Sequence, residues 1–224
     1  SALSTSAVHA RAATGLLHAD DVVALDACTL ERADTLSAAA LLALVPARRH
    51  RVLRAWITSL GLPPLPSPGL ARIDDDLLHA RADAQPRFDW HDASVRAWRG
   101  RLHASRRGPI LHRSVEIAWD GLAPVRLPDG GQLMIEPPLA LPPTVRVRAR
   151  RGGERIRLPG RQHGHALKHV LQDLEVPPWT REHLPLLVDG DDVLAAGDVV
   201  VCASLTACLE TAGARLEWIR PEGA

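Results

Sequence analysis

The stretch TVRVRARRGGERIRLPGR, residues 144 to 161, decides how the rest of the chain is read. Its first half alternates Val or Ala with Arg, and a period of two marks a strand with one face on a core and the other in water. On such a strand every second residue shares a face, so Arg146, Arg148 and Arg150 line up about 6 to 7 Å apart per pair, close to the phosphate spacing along one strand of a nucleic acid duplex. Gly152 and Gly153 then predict a turn whose N–H groups are open to an anion, with Arg155 and Arg157 returning on the next strand. Between Thr144 and Val170 stand eight bases, Arg146, Arg148, Arg150, Arg151, Arg155, Arg157, Arg161 and Lys168, against the single acid Glu154. That imbalance favours a polyanion cradle over the competing reading, a solvated face whose arginines pair with the acids around Asp189.

Working outward, residues 164–174 read as a helix, VPPW (176 to 179) as a Pro-fixed connection, and 184–188, 192–196 and 199–203 as strands. Before the Arg-rich strand, 114–119 and 132–136 are strand candidates punctuated by Pro and Gly. Residues 108–224 are therefore expected to form a mixed α/β domain. The first part, 1–104, reads as mainly helical. An Ala-rich lead-in helix is expected over about 7–27. A second helix over 46–60 opens on Pro46 and repeats Val52, Leu53, Trp56, Ile57 and Leu60 at helical spacing, and Gly61 with Pro63 and Pro64 ends it. Ser67 and Pro68 suit the N-cap and first position of a third helix through Leu77 and Leu78. After Asp83, alternating segments at 87–90 and 94–103 predict hairpins of a short sheet. The fold class is thus α+β, a small mainly helical domain with a short sheet followed by a mixed α/β domain.

Composition narrows the function. Hydrophobic residues make up 46% and charged ones 24%, outside the regime of disorder. No apolar run approaches the roughly 20 residues that span a bilayer, and the start lacks the pattern of a signal peptide, so a cytoplasmic protein is expected. Cys28, Cys202 and Cys208 form neither a CxxC pair nor an even set and read as free thiols. The chain opens on Ser1, and upstream sequence is expected to be missing. The net charge of +1 hides sorting along the chain, with acids at 74–76 and 189–192 and bases elsewhere.

Two further basic stretches, Arg96, Arg99, Arg101, Arg106 and Arg107, and Arg48, Arg49, Arg51 and Arg54, suit an extended polyanion better than a small phosphate. On the helix they also suit an ordinary solvated face. Trp90, Trp98, Trp119, Trp179 and Trp218 alternate with aliphatics, which favours core packing over base stacking. His165 and His169 share a helical face, yet no Cys or acid completes a zinc set, and no metal is expected. There is no GxSxG, no P-loop and no GxGxxG, so no catalytic residue is assigned.

RRGGERIRLPGR (150 to 161) followed by HALKHVLQDLEVPPWTREHLPLL (165 to 187) resembles the C-terminal domain of bacterial tRNA(Ile)-lysidine synthases. PARRHRVLRAWITSLGLPPLPS (46 to 67), LLHARADAQPRFDW (77 to 90) and VRAWRGRLH (95 to 103) resemble that family's helical substrate-binding domain. The resemblance implies a fold for the last domain similar also to one in the β-subunit of phenylalanyl-tRNA synthetase. It implies that the full-length parent is an ATP-dependent ligase joining lysine to the wobble cytidine of minor isoleucine tRNA. The family's SGGxDS adenylation motif is absent from this sequence. This fragment alone is therefore expected to hold no cofactor and make no lysidine, with ATP and Mg in a missing N-terminal domain. The implied partners are minor isoleucine tRNA and that N-terminal catalytic domain, with no membrane; a homodimer is left open. Carried onto this sequence, the implied tRNA contacts are Arg151, Arg155, Arg157, Arg161, Lys168 and Arg181, to which the strand reading adds Arg148. Lys168 is the only lysine of the chain, which favours a need for a compact ammonium. The competing function is an Arg-rich protein–protein interaction module without catalytic activity.

Overall fold

A computed structural model of the chain describes residues 19–161 and 163–221. The chain divides into two compact units, one ending at Arg107 and the other beginning at Gly108. Helices and mainly antiparallel sheets make up both units, an α+β architecture. Among the described residues no helix is long and apolar enough to cross a membrane.

The first unit opens with α1, helical over 19–28; the earlier part of the expected lead-in helix lies outside the described residues. β1 (Thr35–Ser37) runs into α2 (Ala38–Leu42), whose start is held by Ser37 Oγ accepting from the Ala40 amide at 3.2 Å. α3 (Pro46–Ser59) begins on Pro46 and buries Val52, Leu53, Trp56 and Ile57, the apolar stripe its spacing predicts. Trp56 meets its polar requirement by donating from Nε1 to Ala33 O at 2.8 Å. α4 (Ser67–Arg72) continues into a π-turn over Ile73–Leu77. Ser67 is the first helical residue here and not the cap; Pro66 holds the cap position, and no side chain caps it.

The helices pack on a four-stranded antiparallel sheet, β2 (Arg87–Trp90), β3 (Ala93–Trp98) and β4 (Arg101–Arg106) with β1 beside β4, in the order β1-β4-β3-β2. Alternation sends Phe88, Trp90, Val95, Ala97, Leu102 and Leu36 toward the core. The β3–β4 turn uses Arg99 and Gly100, both at positive φ (47° and 72°), the pairing a tight two-residue hairpin requires.

The second unit contains a three-stranded sheet and a seven-stranded one. The smaller sheet joins β6 (Val125–Arg126), β7 (Gln132–Glu136) and β14 (Arg215–Ile219), with β7 in the middle. The larger sheet orders β10 (His165–Ala166), β9 (Arg155–Ile156), β12 (Asp192–Ala196), β11 (Leu186–Asp189), β8 (Val145–Arg148) and β5 (Glu116–Ala118), with β13 (Val200–Val201) on β12. Three helices, α5 (Leu167–Asp173), α6 (Pro178–His183) and α7 (Ala203–Ala212), complete the unit.

Two expectations are corrected here. β8 and β9 do not form a hairpin across Gly152 and Gly153, because both hydrogen-bonding edges of β8 are taken, one by β11 and the other by β5. The chain crosses the β11–β12 hairpin instead, and β9 lies parallel to β12 with Ile156 opposite Val193. The helix expected from Gly164 starts at Leu167, since His165 and Ala166 pair with β9 as a strand. Trp90, Trp98, Trp119, Trp179 and Trp218 are all buried, so none is a stacking platform.

Candidate nucleic-acid interface

β8 positions the first basic side chains by alternation. Val145, Val147 and Ala149 are buried, which turns Arg146 and Arg148 to the opposite face. Arg148 is nonetheless only 11% exposed, with Nη1 donating to Ala149 O at 2.9 Å and lying 3.4 Å from Glu154 Oε1. Arg150 leaves the strand and donates from Nη1 to Arg181 O at 3.4 Å. Burial pushes its guanidinium below the ordinary arginine range, against the pull of Glu154.

Glu154 organises the turn between β8 and β9. Its Oε1 accepts from the amides of Arg151 and, at 3.0 Å, Gly152. Burial raises its carboxyl, but the amides of Arg151, Gly152 and Glu154 itself, together with Arg148, outweigh that and hold it below the usual carboxylate range. The Gly152 amide, expected to be open to an external anion, is thus filled from inside by the protein's own carboxylate. Nothing in the spacing alone announces this, although Glu154 is the lone acid of the run.

Arg151 reaches back to β5, its Nη2 3.1 Å from Glu116 Oε2. Arg155 and Arg157 flank the buried Ile156 on β9 and are both exposed; Arg155 Nη2 donates to Gly164 O. They line a cleft of about 650 Å³ with Gly164, Asp192, Leu194 and Ser204. No local spacing marks Asp192, Leu194 and Ser204 as neighbours of the basic run, because they come from the β11–β12 hairpin and α7. Arg161 is exposed in the next turn, and Lys168 is exposed on α5 opposite the buried Leu167, Val170 and Leu171. Arg181 is half-buried on α6 and donates from Nε to Val176 O at 2.6 Å, closing the α5–α6 connection.

Arg181 apart, the candidates therefore separate into two sets. Arg148 and Arg151 are neutralised by Glu154 and Glu116. Among the described residues, Arg155, Arg157, Arg161 and Lys168 have no carboxylate within ion-pair reach. Among the described residues, the acids around Asp189, the expected alternative partners, form no ion pair with Arg148, Arg151, Arg155, Arg157 or Arg161.

The other basic stretches are more strongly compensated. On α3, Arg49 pairs with Asp74 and Arg51 with Asp21, each at 2.8 Å, while Arg48 donates to Asp20 O at 3.0 Å. In the sheet, Arg106 pairs with Asp92 and Arg101 lies 3.5 Å from Glu31. Among the described residues no group of three or more His, Cys, Asp or Glu side chains comes together as a metal site.

Two family models match the chain: residues 36–103 fit the TilS substrate binding domain, and residues 145–218 the TilS substrate C-terminal domain. The chain belongs to the TilS family. Among TilS-family relatives, it is 44% identical over 221 residues to a tRNA(Ile)-lysidine synthase of Xylella fastidiosa (strain Temecula1 / ATCC 700964), covering 96% of this chain and 50% of that protein. A tRNA(Ile)-lysidine synthase of Xanthomonas axonopodis pv. citri (strain 306) is 42% identical over 219 residues, with 97% and 50% covered. One of Coxiella burnetii (strain RSA 493 / Nine Mile phase I) is 30% identical over 223 residues, with 96% and 49% covered. The chain thus spans about half the length of the curated TilS relatives it matches. A solved structure described as a TILS C-terminal domain aligns at a TM-score of 0.37 and 20% identity, over 47% of this chain and 96% of that one.

Proposed function

We propose that this chain is the tRNA-recognition portion of a tRNA(Ile)-lysidine synthase and that its substrate is minor isoleucine tRNA. The observation that carries the reading is the set of exposed cations Arg155, Arg157, Arg161 and Lys168, unneutralised among the described residues and carried by β9, the turn after it and α5. Side chains of this kind bind a phosphate backbone by releasing counterions, independent of base sequence. That the relatives are tRNA(Ile)-lysidine synthases supports tRNA as the polyanion. Arg148, Arg151 and Arg181 act in this reading as the frame that holds the exposed set. In this reading the ligation of lysine to the wobble cytidine, with ATP and Mg2+, is the work of sequence other than this chain, which spans about half the length of the relatives.

A titration of the chain with minor isoleucine tRNA, elongator methionine tRNA and a DNA duplex at several salt concentrations tests the reading. The expected result is tRNA binding that weakens steeply with salt and is lost in a triple variant, Arg155→Ala with Arg157→Ala and Lys168→Ala. Equal, weak binding to all three ligands, unchanged by the substitutions, overturns it in favour of a protein-interaction module.

A further inference from the structure

The acid in the basic run is poorly placed to be a simple counter-charge. The Glu154 side chain is 4% exposed, and its carboxylate is engaged by the Arg151 and Gly152 amides and by Arg148 Nη1. Its main chain is engaged as well: Glu154 O accepts from the Leu167 amide at 2.8 Å, at the first residue of the helix that carries Lys168. The next residue, Arg155, pairs with Ala166 across β9 and β10. One residue therefore ties the 148–153 arch to the starts of both β9 and α5.

We infer that Glu154 is a positioning residue for nucleic-acid binding, fixing from inside the arch and the two elements that present Arg155, Arg157 and Lys168 outward. The inference rests on the tRNA-binding reading above. Its physical content is a sign reversal. An exposed acid among phosphate-binding arginines repels the ligand, and deleting it strengthens binding. A buried acid that saturates two backbone amides and a guanidinium acts the other way. Without it, the Arg151 and Gly152 amides lose their carboxylate, Arg148 Nη1 keeps only Ala149 O, the Gly152–Gly153 segment, at φ 94° and 82°, loses its only side-chain tether among the described residues, and the cations no longer share one geometry.

The test compares the wild-type chain with Glu154→Ala and Glu154→Gln in tRNA titrations across salt, each well below its own melting temperature. Glu154→Ala is expected to bind roughly tenfold more weakly although it gains a positive charge. Its log-log salt slope should flatten by about 0.7 to 0.9 for each phosphate that is no longer neutralised. Glu154→Gln keeps an acceptor for both amides and is expected to stay within about threefold of wild type. A folded Glu154→Ala chain that binds as tightly as wild type with an unchanged slope overturns the inference, since a merely structural glutamate lowers only the melting temperature. If Glu154→Ala does not fold, Glu154→Gln decides alone: tighter binding with a steeper slope, as expected from removing a repulsive charge, overturns it equally. Absence of salt-sensitive tRNA binding by the wild-type chain is a different result, and it overturns the underlying reading.

Discussion

The indole of Trp218 packs on the α-carbon of Gly197: a methyl group there would lie 2.9 Å from Trp218 Cε3 and 3.0 Å from Leu184 Cδ1. Gly197 also sits at φ +52° while its amide donates to Pro185 O at 2.8 Å, so the backbone has little freedom to shift. Steric overlap and a left-handed backbone act together. Gly197→Ala is expected to destabilise the second unit by about 2 kcal/mol, read as a lower urea midpoint at unchanged slope. A midpoint equal to wild type would mean that the contact relaxes without cost.

Asp34 ties β1 to the rest of the first unit. Burial raises its carboxyl, but His103, Arg32 and Thr35 outweigh that and hold it well below the ordinary carboxylate range. His103 Nδ1 lies 3.6 Å away, Arg32 Nη2 2.6 Å and Thr35 Oγ1 2.9 Å. The folded value is below the unfolded one of about 3.9, so the stabilisation is complete above that pH and is lost as pH falls through the folded value. Melting temperatures measured from pH 7 to 3 should therefore decline below about pH 4, and Asp34→Asn should be less stable at neutral pH with a shallower acid decline. An acid limb of the same slope in both proteins would exclude Asp34 as a contributor.

Lys168 separates binding from stability. It is exposed on α5, away from the buried Leu167, Val170 and Leu171. Lys168→Ala should leave thermal stability within about 0.5 kcal/mol of wild type. It should weaken tRNA binding and reduce the log-log salt slope by about 0.7 to 0.9, the contribution of one phosphate contact. An unchanged slope would remove Lys168 from the interface.

Trp56 tests the core of the first unit. It is 1% exposed, and its Nε1 holds Ala33 O at 2.8 Å, pinning the segment before β1 onto α3. Trp56→Phe should keep much of the apolar burial but leave that carbonyl without its donor and a small void beside it, at a cost of about 1 to 3 kcal/mol. Urea unfolding of the variant checks the value.

The parts of this protein legible in its sequence are those where a local pattern has one physical solution. The stripe of Val52, Leu53, Trp56 and Ile57 admits only a helix with that face inward. The hairpin closed by Arg99 and Gly100 follows from alternation on both sides of a turn residue that tolerates positive φ. α7 and β14 are not legible in the same way. The run ASLTACLETA is small and weakly patterned, and RLEWI is short, though its alternation matches the buried Leu216 and Trp218.

The basic run marks the boundary between local and tertiary information. By itself the sequence determined that Arg146 and Arg148 lie opposite Val145 and Val147, because burying one face of a strand imposes a period of two. It determined too that the five alternating tryptophans belong to cores. Only the tertiary structure decided which cations stay open. Arg151 is neutralised by Glu116, 35 residues earlier, because β5 pairs with β8 and brings the two within 3.1 Å. Arg155 and Arg157 escape such pairing because β8 has no free edge, so β9 is carried across to β12. Strand edges and carboxylate positions are set by contacts between residues distant in the chain, and no local spacing encodes them.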